Sequence, residues 1–274
     1  MKLSLALTPT KTRFAPLLFA GNIEHGMQRA AALGYNGVEL NIRDPLDIDS
    51  DILIKNLRSN RLEVVALGTG QAYVQEGLSF ADANADVRNQ VVKRIKAHIQ
   101  LAQILNAQVV IGGIRGKFNF TDESDRQPLY ENALKSIKEC ATFADEHGVT
   151  ITIEPINRYE TNFINTLEEG LTFLKDLGND RVRLLADTFH MNIEEASFIN
   201  SLKLAGNKLS HIHLVDSNRL SPGQGHIDFH SIIRTLSETG YDSYISAEVL
   251  PKPDDETAAQ QNIEYVKKIL AEID

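Results

Sequence analysis

Short runs rich in Val, Ile and Leu recur along the chain, each bounded by Gly, Asp, Asn or Pro and separated by stretches of helical periodicity. The runs predict strands over 2–7, 36–41, 62–68, 107–113, 148–154, 181–187, 208–215 and 243–249. Between them, Val87, Val91, Ile95, Ile99 and Ala102 repeat at spacings of three and four, as do Leu129, Ala133, Ile137, Cys140 and Ala144. Each set predicts a helix with one apolar face. Ser124-Asp-Arg-Gln127 and Thr166-Leu-Glu-Glu169 fit the capping box that starts a helix, and Ile263, Val266 and Leu270 face inward on a last helix.

Eight strands alternating with eight helices, without a linker or a shift of composition, predict one α/β domain over residues 1–274. The expected architecture is a single (β/α)8 TIM barrel around a parallel eight-stranded sheet. An open doubly wound sheet is the rival. It is weakened because no Gly-x-Gly-x-x-Gly follows the first strand, and Gly223-Gln-Gly225 comes only after the seventh. The loops after strands one, three and four, about 8–22, 69–85 and 114–124, are long. In a barrel such loops build the substrate pocket.

Each of four strands ends on a metal-binding type of side chain: Glu154, Asp187, His213 and Glu248. They lie roughly 25–35 residues apart, about one strand-plus-helix unit. Side chains alternate along a strand, so Thr152 shares the face of Glu154, Ser246 that of Glu248, and His211 that of His213. Barrel closure would gather three carboxylates and one imidazole at one mouth. Buried carboxylates that close repel unless a cation or protons neutralise them. An oxygen-rich set with one imidazole suits a divalent ion: Mn²⁺ first, Co²⁺ or Mg²⁺ as alternatives, zinc less expected.

Just beyond these strand ends, Glu160, His190 and Arg219 are expected to contact substrate, and Arg158 and Asn218 either do so or are solvated loop groups. Asp228 is expected to cap a helix.

The formal net charge of −9 argues against a nucleic-acid partner, and no run of about 18 apolar residues suggests a membrane span. A lone Cys140 on an apolar helix stripe reads as a buried, inert thiol and suits a reducing cytoplasm.

The motifs Glu154-Pro-Ile-Asn-Arg-Tyr-Glu160, Asp187-Thr-Phe-His190-Met-Asn, His211-Ile-His213-Leu-Val-Asp-Ser-Asn-Arg219, Pro222-Gly-Gln-Gly225-His-Ile-Asp-Phe and Glu248 resemble the sugar isomerase/epimerase superfamily with a xylose-isomerase-like TIM barrel. Within it, the chain is similar to the D-tagatose and D-psicose 3-epimerase group. The resemblance implies that Glu154, Asp187, His213 and Glu248 ligate one divalent metal ion, and that Glu154 and Glu248 are also the catalytic acid/base pair. The implied reaction moves a proton at the carbon next to a ketone through an enediolate. Glu160, His190 and Arg219 would hold the ketose near its carbonyl, and relatives are often homo-oligomers. Gly68-Thr-Gly-Gln-Ala-Tyr73, Ile111 to Arg115 and Arg43-Asp-Pro45 further resemble proteins assigned to 5-keto-L-gluconate epimerisation, which implies a keto-sugar acid as substrate. Its carboxylate would then meet Arg43, Arg115, Lys117 or Arg158. An aldose–ketose isomerase such as hydroxypyruvate isomerase, or a decarboxylase or dehydratase, are rivals on the same barrel. An abasic-site endonuclease would need more histidine and acid ligands than the eight His present provide.

Overall fold

The computed structural model describes residues 1–12 and 15–273. Eight parallel strands close in sequence order: β1 (Lys2–Leu7), β2 (Gly37–Asn41), β3 (Glu63–Gly68), β4 (Gln108–Ile111), β5 (Ile151–Ile153), β6 (Val182–Asp187), β7 (Leu209–His213) and β8 (Tyr244–Ala247), with β8 pairing back onto β1. Every predicted strand is present, most of them shorter than the apolar run that announced them.

Among the described residues ten α-helices follow, not eight. They are α1 (Ile23–Leu33), α2 (Ser50–Asn60), α3 (Gly70–Glu76), α4 (Ala85–Leu105), α5 (Arg126–Glu146), α6 (Leu167–Leu177), α7 (Thr188–Glu194), α8 (Phe198–Ala205), α9 (Phe229–Glu238) and α10 (Asp255–Ile273). The two extra ones, α3 and α7, are seven-residue helices inserted after β3 and β6. They are too short to show periodicity. Both sit on the C-terminal side of the barrel, where insertions shape the pocket.

Thr166 caps α6, its hydroxyl accepting from the Glu169 N–H, and Asp228 caps α9 by accepting from the Ser231 N–H. Ser124 does not begin α5. It lies in a short 3-10 turn, and its N–H donates to Asp122, an acidic neighbour that outcompetes the hydroxyl for the local donors.

Alternation along the strands sorts the interior. Ile151, Ile153, Val109, Ile111 and Leu184 join one continuous apolar layer with Ile95, Ile99, Ala133, Ile137 and Cys140 of the helices. The inward positions are partly polar. Thr152 donates to Gln108 at 2.6 Å, Ser210 donates to the same oxygen at 3.0 Å, and the Ser4 and Ser246 hydroxyls meet at 2.5 Å. These groups satisfy one another, so the lower barrel can be polar without a ligand. Cys140 is fully buried, and burial pushes its thiol up to about 12, which keeps it protonated and inert. No described helix is long and apolar enough to cross a membrane.

Candidate active site and metal centre

At the C-terminal mouth, Asp187 and His213 are the last residues of β6 and β7, while Glu154 and Glu248 lie one residue beyond β5 and β8. The Glu154 N–H still donates to the Ile111 carbonyl at 3.2 Å, so the ladder continues up to the side chain that matters. His213 Nδ1 stands 3.6 Å from Glu154 Oε1, 3.5 Å from Asp187 Oδ2 and 3.5 Å from Glu248 Oε2. One donor atom from each of the four lies within 4.8 Å of all the others.

Two of these atoms, Asp187 Oδ2 and His213 Nδ1, are buried and have no hydrogen-bond partner. The other Asp187 oxygen caps α7, accepting from the Phe189 N–H at 2.7 Å and the His190 N–H at 3.3 Å. The helix thus fixes the carboxylate and turns its free oxygen to the cluster. Buried polar atoms without partners are costly, and a divalent cation supplies the missing partner for these two while drawing in the Glu154 and Glu248 carboxylates. The residues fit such an ion. Gly112 leaves room for it to be held, since a methyl group at that position would overlap the Glu154 carboxylate.

Protonation follows from the crowding. Burial pushes the Glu154 carboxyl up to about 7; Glu248 and Asp187 add to this and His213 opposes it. Burial also works against charge on His213, but Glu39 and Glu248 outweigh it and raise the imidazole well above its usual range. Burial resists ionisation of Asp187 too, yet the neighbouring imidazoles and Arg219 hold it below the ordinary carboxylate range. Without an ion the cluster therefore keeps protons that a cation would displace.

Glu160, His190 and Arg219 line the same cavity, which has a volume of about 420 Å³. Asn157 organises two of them: its amide donates to Glu160 at 2.9 Å and to His190 Nδ1 at 2.8 Å, while its oxygen accepts from the Tyr159 N–H. Nδ1 being the acceptor, the His190 hydrogen sits on Nε2, which faces the carboxylates at 4.0 Å. Burial, helped by Arg219, pushes His190 down to about 4, so it is a neutral donor at physiological pH. Arg219 donates to Glu248 at 2.7 Å and its guanidinium lies 4.6 Å from the Phe189 ring centroid. Its backbone adopts a left-handed conformation, φ 62°, held by the Leu250 N–H donating to its carbonyl. A non-glycine residue kept there marks a turn that the surroundings enforce.

Comparison with known proteins meets this geometry. Residues 27–269 match the xylose isomerase-like TIM barrel family. The chain belongs to that family. It is 30% identical over 228 residues to the D-psicose 3-epimerase of Ruminiclostridium cellulolyticum, covering 81% of this chain and 76% of the relative. The L-ribulose 3-epimerase of Mesorhizobium japonicum is also 30% identical, over 82% of this chain and 75% of its own. The 3-dehydro-D-guloside 4-epimerase of Escherichia coli is 24% identical over 89% and 93%. A crystal structure of the Clostridium cellulolyticum D-psicose 3-epimerase with D-tagatose superposes with a TM-score of 0.83, at 23% identity and over 98% and 99% of the two chains. Each of these relatives is named as an epimerase.

As a xylose isomerase-like barrel, the protein uses its arginines in an unexpected way. Arg115 lines the cavity but does not offer its charge to it. The buried guanidinium donates to the carbonyls of Phe163 (2.6 Å), Glu154 (2.5 Å), Ile164 (3.0 Å), Ile111 and Gly112. Arg158 points outward and pairs with Glu194 at 2.8 Å, and Arg43 pairs with Asp47 at 2.7 Å. Lys117 is exposed, and Asn218 is spent within its own loop, donating to the Gln224 carbonyl. Of the two arginines expected to meet substrate, Arg115 lines the cavity with its guanidinium tied to loop carbonyls, and Arg158 is not among the lining residues. Conversely, Glu39, Asn41, Gln71 and Phe189 line the cavity without having been singled out. For Glu39 and Asn41 the signal existed, since period-two alternation in Val38-Glu39-Leu40-Asn41 puts both inward. Phe189 and Gln71 stand within motifs that carry the family resemblance, but with no role of their own.

Proposed function

We propose that the protein is a divalent-metal-dependent epimerase of a ketose or keto-sugar acid, moving a proton at the carbon next to the ketone. The observation that carries this reading is that Glu154 and Glu248, from strands three apart in the barrel, converge on the same donor cluster. Epimerisation needs a group on each face of one carbon, and two carboxylates approaching from different strands meet that need.

Glu154, Asp187, His213 and Glu248 would hold the ion, Mn²⁺ by the chemistry of the donor set. When bound, it supplies Lewis acidity that makes the C–H beside the ketone more acidic. One glutamate removes that proton and the other returns a proton to the opposite face of the enediolate. His190 Nε2–H and the Arg219 guanidinium donate to substrate oxygens, and Glu160 accepts from a hydroxyl. Phe189 and the α3 segment close the cavity against water. The resemblance of Gly68 to Tyr73 to 5-keto-L-gluconate epimerases supports a carboxylated substrate, and that segment lines the cavity. With Arg115 and Arg158 committed elsewhere, such a carboxylate would be met by neutral donors, Gln71 among them.

The test is NMR in D₂O with added Mn²⁺ and a panel of free ketoses, ketose phosphates and keto-sugar acids. Deuterium entering at the carbon beside the ketone, with inversion and without aldose, is the expected result. Aldose formation would make the protein an isomerase, and released carbon dioxide a decarboxylase.

A further inference from the structure

Glu39 is buried in the barrel interior beneath the four donors, at a point where the β2–β3 register shifts, and the reaction proposed above does not use it. Its Oε2 lies 3.0 Å from His213 Nε2 and 2.8 Å from His211 Nε2. All three side chains are at most 1% exposed, so water does not compete for these contacts. A carboxylate oxygen only accepts, so both imidazoles carry hydrogen on Nε2 and donate it. For His213 this leaves Nδ1 as the nitrogen that can bind a metal ion, and it is the atom that faces Glu154, Asp187 and Glu248. It also locks the ring: a half-turn about its last bond would point carbon at both the cluster and Glu39. His211 Nδ1 has no partner, so the Glu39 contact is the hydrogen bond that holds that ring.

We propose that Glu39 is the positioning residue of the metal centre. It fixes the ring and hydrogen of His213 and strengthens Nδ1 as a ligand, while His211 is the second donor that holds the Glu39 carboxylate in place. Carboxylate–imidazole–metal chains of this kind act through ligand orientation and basicity. The inference rests on Glu154, Asp187, His213 and Glu248 being the ligands. Its rival is a second ion, because Glu39 Oε2 and the two Nε2 atoms also lie within 4.8 Å of one another. That ion would require His213 to give up its remaining hydrogen and bind metal through both nitrogens, in a pocket with only three protein donors.

The experiment is calorimetric titration of the metal-free protein with Mn²⁺, comparing wild type with Glu39→Gln and Glu39→Leu. Nitrogen NMR of ¹⁵N-histidine-labelled samples accompanies it. Wild type is expected to bind one ion per chain, and the variants one ion about ten- to a hundredfold more weakly. The hydrogen-bonded Nε2–H signal of His213 should be present in metal-free wild type and lost in Glu39→Leu. Variants that match the wild-type affinity and keep the signal overturn the proposal. Two ions per wild-type chain, the second lost with Glu39, overturn it in favour of a second site. A wild type that binds no ion defeats instead the ligand set on which it rests. If the leucine variant does not fold, the isosteric glutamine variant decides alone, with circular dichroism as the check on its fold.

Discussion

His213 Nδ1 and Asp187 Oδ2 stand 3.5 Å apart in the barrel mouth, both buried and neither with a hydrogen-bond partner. A cation between them would serve both atoms at once and displace the proton that the imidazole otherwise keeps. Metal binding should therefore couple to folding. At a free Mn²⁺ concentration about a hundred times the dissociation constant, the gain is about 2.7 kcal/mol. Differential scanning calorimetry with excess Mn²⁺ and with EDTA measures it. Identical melting temperatures in the two would show that the cluster does not hold an ion.

The same cluster predicts a pH dependence. Glu154, at about 7, lies above the ordinary 4.5. Between those two values the metal-free fold keeps a proton that the unfolded chain has lost. Its contribution to stability is full below 4.5 and lost as the pH rises through about 7. His213 has the same sign, being raised above 6.5, so its contribution is present below 6.5 and lost at higher pH. A cation replaces both protons. The rise in melting temperature on adding Mn²⁺ should be small near pH 5 and grow toward about pH 8, and binding at about pH 7 should release protons. Calorimetry in two buffers of different ionisation enthalpy measures that release; no dependence on buffer would contradict the assignment.

Replacing either acid/base candidate tests the chemistry. Glu154→Gln and Glu248→Gln should each lower turnover at least about 10²-fold. Metal content is measured alongside, because both side chains also face the ion. Near-wild-type rates in both variants would end the two-base mechanism.

The arginines separate packing from recognition. Arg115→Met leaves the carbonyls of Phe163 and Glu154 without donors in the interior, at roughly 1–3 kcal/mol for each unsatisfied group, while Ile164 keeps the Ile156 N–H. A large fall in melting temperature is expected. Arg158→Ala removes an exposed guanidinium that points away from the cavity, and the Glu194 carboxylate keeps the backbone N–H of residue 158, so KM should stay unchanged. A raised KM for a keto-sugar acid in Arg158→Ala would restore that residue to substrate binding.

Gly112→Ala places a methyl group where the Glu154 carboxylate lies. The side chain must swing away, so Mn²⁺ affinity and turnover should fall together while the metal-free melting temperature changes little. An unaltered affinity would mean that Glu154 is not held against this strand end.

Local pattern was enough for the barrel and for its four mouth residues. Alternation in runs such as Ile151-Thr-Ile-Glu154 and His211-Ile-His213 states which side chains share a face, and capping residues such as Thr166 and Asp228 act on N–H groups three residues away. These are short-range effects, written into neighbouring residues, and closure of eight similar units then places the strand ends together. The tertiary structure decided how the charges are spent. Arg115 carries the charge that suggests an anion, yet its partners are carbonyls at Phe163 and Ile164, brought to it by a loop after the next strand. Glu39 is a plain inward residue of β2 until β7 sets two imidazoles against it. Hydrogen-bond partners of buried polar groups depend on which distant segments the fold juxtaposes, and burial alone makes those partnerships obligatory.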